Sequence, residues 1–210
     1  MVGGRADLRR RNAKACIRAG IVGGKFYVAL DENDKVVGTA VWYPAGKDFL
    51  ADEKQQREGA SELLAIIERE EPELHKWWMS TVRPVLTAFS SDHSTLTNDS
   101  QLLPLTANTT DKFMGNGFRM GTWKLYSLTV AEGHRRKGIA RMLVKMGEDQ
   151  AAALGLPVCI EAENEHNMGI YKRLGYQLVG HTSIPGPSNA EDFSWYCLAK
   201  HFGAEERKAV

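Results

Sequence analysis

Arg135, Arg136, Lys137 and Gly138 come four residues after the alternating run "LYSLTV" (residues 125–130) and open an amphipathic stretch. The first turn of a helix leaves backbone N–H groups unpaired, and the helix dipole makes that end positive. A glycine there admits close approach of a ligand to the backbone. Flanking cations complete an anion site suited to a pyrophosphate. A charged surface loop is the ordinary alternative, and three basic residues with one glycine do not exceed it unaided.

A second group lies in "PVCIEAENEHNMGIYKRLGY" (residues 157–176). Glu161 and Glu163 alternate with Ala162 and so share one face of a strand or its extension. Either carboxylate could bind an amine, directly or through water. Glu132, His93 and His181 are further candidates for a proton acceptor. Each of the five is individually best explained as a solvated side chain, and Glu161 ranks first among them. Trp42, Tyr43, Trp77 and Trp78 could line a pocket, but aromatics so placed are more often core.

The elements needed to hold these residues can be read from periodicity. Residues 5–19 suit a short basic helix ending at Gly20. "KFYVAL" and "KVVGTAVWY", separated by "DENDK", form a hairpin signature. Residues 51–71 have helical spacing, and Pro72 starts another helix that Pro84 would kink or end. Residues 90–121, rich in Ser, Thr, Asn and Gly, read as a long loop. A strand at 122–130 then leads to a helix at 138–153, with Ile139, Met142, Leu143 and Met146 on one face. The strand "PVCIEA", a helix at 167–174 and two closing strands follow. The alternation is that of a mixed α/β domain.

Two other glycine loops fail on context. "AGIVGGKF" has Ala19 where a phosphate loop needs its first glycine, and Phe26 where the magnesium-binding hydroxyl belongs. "GNGFRMG" precedes a strand instead of opening a helix.

Composition excludes several classes. The 210 residues are 43% hydrophobic and 25% charged with a formal net charge of +1. That balance is globular, and gives no global field for nucleic acid or an acidic membrane. Three scattered cysteines without a CxxC pair suggest neither a disulfide framework nor a metal knuckle. No apolar run has membrane-spanning length and no secretion signal is evident, so the expectation is a cytoplasmic protein. The sequons at Asn98 and Asn108 then read as chance matches.

Arg135-x-x-Gly138-x-Ala140 after a strand ending "LTV" resembles the acetyl-CoA-binding signature of the GNAT superfamily of N-acetyltransferases. Downstream, an asparagine (Asn164 or Asn167), Tyr171 and the pair Gly175-Tyr176 resemble that family's next strand and helix. The resemblance covers residues 122–200, and the hairpin at 25–43 fits the family's earlier strands. It implies a mostly antiparallel central sheet, helices on both faces and a splayed parallel strand pair at the cofactor site. It implies one domain over residues 1–210, with a long helical and loop insertion at about 47–121. Only one short helix fits before Lys25, so the family's first strand and helix are shortened or replaced. The insertion is then a candidate cover for the acceptor side.

The resemblance further implies pantetheine pairing along Leu128, Thr129 and Val130. The pyrophosphate would lie on the loop of Arg135, Arg136, Lys137, Gly138, Ile139 and Ala140. Asn164 and Asn167 are both placed for the cofactor arm. Tyr171 would protonate the leaving thiolate, and Glu161 would serve as base. The implied reaction is direct attack of a primary amine, small-molecule or peptide, on acetyl-CoA in a ternary complex, without a metal. The rival from another class is a silent acyl-CoA sensor or interaction module. Nucleic acid and membrane are not expected partners. A homodimer is an option because a missing first strand frees a sheet edge.

Overall fold

The computed structural model describes residues 5–79, 105–186 and 190–203. Its centre is a six-stranded sheet in the order β1-β2-β3-β4-β6-β5. The strands are β1 (Lys25–Leu30), β2 (Val36–Tyr43), β3 (Trp123–Val130), β4 (Val158–Ala162), β5 (Gln177–Ile184) and β6 (Phe193–Lys200). Only β3 and β4 run parallel; every other neighbouring pair is antiparallel. The architecture is therefore the expected mixed one.

The β1–β2 hairpin closes where the sequence indicates. Asp31 accepts hydrogen bonds from the N–H groups of Asn33 (2.9 Å) and Lys35 (3.0 Å), a side-chain clasp typical of Asx turns. β3 carries one extra residue opposite β2: Val41 faces Ser127 and Trp42 faces Leu125, leaving Tyr126 as a bulge. The parallel pairing of β3 with β4 covers only Trp123–Leu125 against Val158–Ile160. Beyond Leu125 and Ile160 the two strands have no paired residues, and β4 continues along β6 alone. The expected splay lies here.

Helices cover both faces. On one side α1 (Ala6–Gly23), α2 (Glu53–Gln55), a π-helical turn (Gln56–Ala60), α3 (Ser61–Glu70) and α4 (Pro72–Trp77) enclose a core of Leu8, Ala19, Val41, Tyr43, Ile67 and Trp78. α5 (Leu105–Met114) and α6 (Phe118–Gly121) precede β3. On the other side α7 (Ile139–Ala153) and α8 (Glu165–Arg173) cover Trp42, Leu125, Leu143, Ile160 and Leu198. Among the described residues no helix is long and apolar enough to cross a membrane.

Several expectations need correction. Gly20 does not end α1, which runs to Gly23. A Cβ at Gly20 would lie 2.5 Å from Val41, so this glycine serves close helix–sheet packing. The single helix expected over 51–71 is broken by the π-helical turn, where Gly59 abuts Ala19 of α1. Residues 105–114 and 118–121 are helical instead of loop. Asp111 accepts from the N–H groups of Gly117 and Arg119, both at 2.8 Å, and so organises the turn that poor helix formers alone would not. On α7 the buried face is Leu143, Val144, Gly147 and Ala151, whereas Met142 and Met146 are 50% and 44% exposed. Small residues are required because Trp42 lies against Gly147, where a Cβ would come within 2.3 Å of the indole. Pro84, His93, Asn98 and residues 90–104 of the expected loop lie outside the described residues.

Candidate active site

β3 delivers the chain to the basic loop. Ala131 N–H donates to Val37 O, a single 3₁₀ turn (Glu132–His134) follows, and Arg135 is extended. Arg136 then takes φ +65° and Gly138 φ +83°. A non-glycine residue at positive φ is strained, and such strain concentrates where backbone groups are being aimed. Gly138 is the N-cap of α7 with no side-chain cap, and the first bond along the helix is Met142 N–H to Gly138 O (3.0 Å). The N–H groups of Ile139, Ala140 and Arg141 thus lack intrahelical partners at the positive end of a fifteen-residue helix. A left-handed residue followed by a right-handed one is also the backbone form of an anion-binding concavity.

Leu128, Ile139 and Tyr171 pack against one and the same core cluster, on the α7–α8 side of the opening between β3 and β4. Tyr171 meets Tyr176 edge-on at 6.2 Å between ring centres. Burial pushes its phenol up to about 12. α8 ends in a left-handed Gly175 (φ +93°), with Gly175 N–H donating to Lys172 O and Tyr176 N–H to Tyr171 O. That Schellman pattern fixes the Gly-aromatic pair. The helix begins at Glu165, earlier than residue 167, because Asn164 is its N-cap and accepts from Asn167 N–H at 2.8 Å.

On the opposite side of the sheet, a cleft of about 340 Å³ lies between α1 and the β2–β3 pair. Arg9, Asn12, Ala13, Cys16 and Ile17 line it from α1, at spacings that form one helix face. Thr39, Ser127, Thr129 and Glu163 line it from the sheet side. Glu163 stands just past the end of β4, next to the splay. Burial pushes the Cys16 thiol up to about 12, and the Glu163 charge adds to the shift. None of the residues from 47–79 or 105–121 lines this cleft; α2, the π-helical turn and α3 pack on α1, whereas α5 packs on β5 and β6 and α6 on β3.

Glu161, first-ranked from sequence, is not open to a substrate. Its Oε1 accepts from Arg119 Nε (3.0 Å) and from Thr110 Oγ1 (2.9 Å), and Oε2 accepts from the same guanidinium at 3.2 Å. Arg119 also pairs with Asp48, whose side chain is 3% exposed. Glu161 is thus the carboxylate of a buried ion network, at 14% exposure. Glu132 lies in the 3₁₀ turn, and His181 is on edge strand β5 stacked on Tyr196 at 5.7 Å; neither lines the cleft. Trp42, Tyr43, Trp77 and Trp78 are buried core residues, as expected.

Beside this network sits Lys124, which donates to the carbonyls of Arg119 (3.1 Å) and Thr122 (3.4 Å). Burial, then the nearby Arg119 charge, lower it from the usual lysine value to about 7. Between pH 7 and the ordinary lysine range near 10.4 the unfolded chain therefore holds more protons, so stability rises with pH there. We expect the melting temperature of the wild type to climb across that window relative to Lys124→Met. Parallel pH profiles would show that the ammonium is not desolvated.

Sequence reasoning missed Asn12, Ser127 and Arg119. Ser127 had a signal: a polar residue in an otherwise apolar run beside Thr129. Arg119 had none, because its partners lie 42 and 71 positions away.

Residues 73–176 match the model of the acetyltransferase (GNAT) family. Among solved structures, a polyamine N-acetyltransferase of Drosophila melanogaster is 15% identical over 84% of this chain and 74% of that one, with a TM-score of 0.47. A histone acetyltransferase HPA2 and related acetyltransferase from Corynebacterium glutamicum is 15% identical over 93% and 78%, with a TM-score of 0.45. NAA60 of Arabidopsis thaliana, solved with a bisubstrate analogue, is 21% identical over 38% and 48%, with a TM-score of 0.35. This chain thus spans about half the length of that last protein. With the family match extending through the basic loop to Tyr176, and with one parallel pair in an otherwise antiparallel sheet, the chain belongs to the GNAT acetyltransferase family.

Proposed function

We propose that the protein transfers the acetyl group of acetyl-CoA to a primary amine by direct attack, with both substrates bound at once. The observation that carries the reading is the opening between β3 and β4 past Leu125 and Ile160, with different chemistry on its two sides. On one side lie the uncapped start of α7 and the Tyr171 phenol. On the other lies the cleft with Ser127, Thr129 and Glu163.

The residues fit the cofactor. Amides at Ile139 and Ala140, the left-handed Gly138 and the cations Arg135, Arg136 and Lys137 suit a pyrophosphate. Leu128, Thr129 and Val130 form the stretch of β3 left unpaired on the β4 side, so their backbone can pair with the pantetheine amides. Asn164 is committed to capping α8 through its oxygen, which leaves Asn167 as the asparagine for the cofactor arm.

In the reaction, the neutral amine nitrogen forms a bond to the thioester carbonyl carbon and the carbon–sulfur bond breaks. Tyr171 donates its phenolic proton to the departing sulfur. A phenol held near 12 keeps its proton at neutral pH until a thiolate forms beside it. The surplus proton on nitrogen passes to Glu163, directly or through one water, and both side chains then re-equilibrate with solvent. Glu163 takes the role first expected of Glu161, whose oxygens are occupied by Arg119 and Thr110.

The two carboxylates can be separated experimentally. Glu163→Gln should lower kcat/KM for an amine by about 10–100-fold at neutral pH with acetyl-CoA affinity unchanged. Unchanged kcat/KM would remove Glu163 from the mechanism.

A further inference from the structure

The outer end of the cleft between α1 and the sheet is bordered by aliphatic side chains that the fold leaves in water. Ile21, Val28, Leu30 and Val36 are each between 47% and 60% exposed. The strand register sets three of them beside the cleft floor. Thr39, which lines the cleft, is the cross-strand partner of Thr129 on one side and of Val28 on the other. Directly paired residues share a face, with Cβ atoms about 4.5–5.5 Å apart. Val28 is therefore the next side chain in the row that runs Thr129, Thr39, Val28. Tyr27 and Ala29 pack into the core on the α7 side, so Leu30 continues the face of Val28 toward α1, and Val36 is paired with Leu30. From the helix, Ile17 lines the cleft and Ile21 stands one turn further along the same face.

The cleft is thus polarised. Its inner end, by the β3–β4 opening, carries Glu163, Ser127 and Thr129. Its outer end runs onto an aliphatic shelf on β1 and the start of β2. Exposed apolar groups gathered in one place mark a contact surface, and small-molecule sites join an apolar wall to a few polar groups.

We infer that the acceptor is an amphiphilic amine whose hydrocarbon part lies across Thr39 onto Val28, Leu30 and Val36. The inference rests on the acetyl-transfer reading given above and adds to it the class of amine. The occupant of the shelf is the tail of the substrate itself, because shelf and cleft floor are neighbours in one row of side chains. Thr129 and Val28 are two strand spacings apart, about 10 Å. An octyl chain whose nitrogen is held by Glu163 crosses the threonines, whereas a butyl chain ends over them. A tail with a second charge would set that charge against aliphatic carbon and lose its hydration.

The test compares kcat/KM for butylamine, octylamine and 1,8-diaminooctane, with acetyl-CoA binding followed by calorimetry and oligomeric state by sedimentation. It uses the wild type, the triple variant Val28→Thr, Leu30→Thr, Val36→Thr, and Leu30→Thr alone. Threonine keeps the preference for strand while making the shelf polar. In the wild type octylamine should exceed butylamine by about 10–100-fold, as four more methylenes leave water on a half-open surface. The diamine, equal in length, should fall back to within a few-fold of butylamine. The triple variant should cut the octylamine-to-butylamine ratio to about 3 or less, with Leu30→Thr in between; the single variant carries the test where the triple one does not fold. Met142→Thr, an exposed apolar site on α7 across the sheet, should keep the full ratio. A wild-type ratio near one, a diamine as good as octylamine, or a ratio that ignores the shelf variants overturns the inference while leaving acetyl transfer intact. So does a wild-type dimer that the shelf variants turn into monomer, since a second copy then covers the patch. Acetyl-CoA binding without turnover of any of the three amines overturns the transfer reading itself, and this inference with it.

Discussion

Replacing Tyr171 by Phe should lower kcat by about 10²–10³-fold while leaving acetyl-CoA affinity within a factor of about two. The substitution removes one hydroxyl from a half-buried ring and keeps its edge-on contact with Tyr176. On the proposed mechanism, what is lost is the proton that neutralises the departing sulfur. Because burial holds the phenol near 12, this group puts no alkaline limb on the rate profile below about pH 10. A wild-type profile that fell with an apparent pKa near 8 would point to a different acid. A Tyr171→Phe enzyme with wild-type kcat would remove the residue from the chemistry.

The largest expected effect on stability comes from Arg119→Met. Arg119 neutralises two buried carboxylates, Asp48 and Glu161, and ties α6 to both β4 and the turn after β2. Removing one member of a buried ion network leaves uncompensated charge, at a typical cost of about 3–5 kcal/mol. For a chain of this length that corresponds to a fall in melting temperature of roughly 10 °C or more. Adding Glu161→Gln to Arg119→Met should recover part of the loss, since one of the two stranded charges is then gone. The remaining folded enzyme should keep its kcat, because the network lies outside the cleft. A loss below about 1 kcal/mol, or a double variant worse than the sum of the singles, would contradict this account of the network.

The sequence disclosed those parts of the molecule whose causes are local. The basic loop is legible because Gly138 adopts a left-handed conformation that few other residues accept, and Gly175 marks the end of α8 for the same reason. The hairpin at 25–43 is legible because Asp31 makes its own turn. What stayed hidden depends on partners distant in the chain. Periodicity puts Glu161 and Glu163 on one face, yet only the approach of Arg119 decides that the first is sequestered and the second open. The buried side of α7 is not legible from periodicity because a large indole, Trp42, requires a residue without a side chain at Gly147, while Met142 and Met146 turn outward. α5 and α6 read as loop in the sequence because Thr, Asn and Gly are poor helix formers, and the Asp111 clasp is a through-space contact.

The central claim is that an acetyl group crosses the gap between β3 and β4 from CoA to an amine. The most direct measurement is release of CoA thiol from acetyl-CoA with and without butylamine and benzylamine, with mass spectrometry of the amine product. The account predicts amine-dependent thiol release matched one for one by a product 42 Da heavier, about the mass of an acetyl group replacing hydrogen. Thiol release that ignores the amine, or acetyl-CoA that binds and is never consumed, would contradict it.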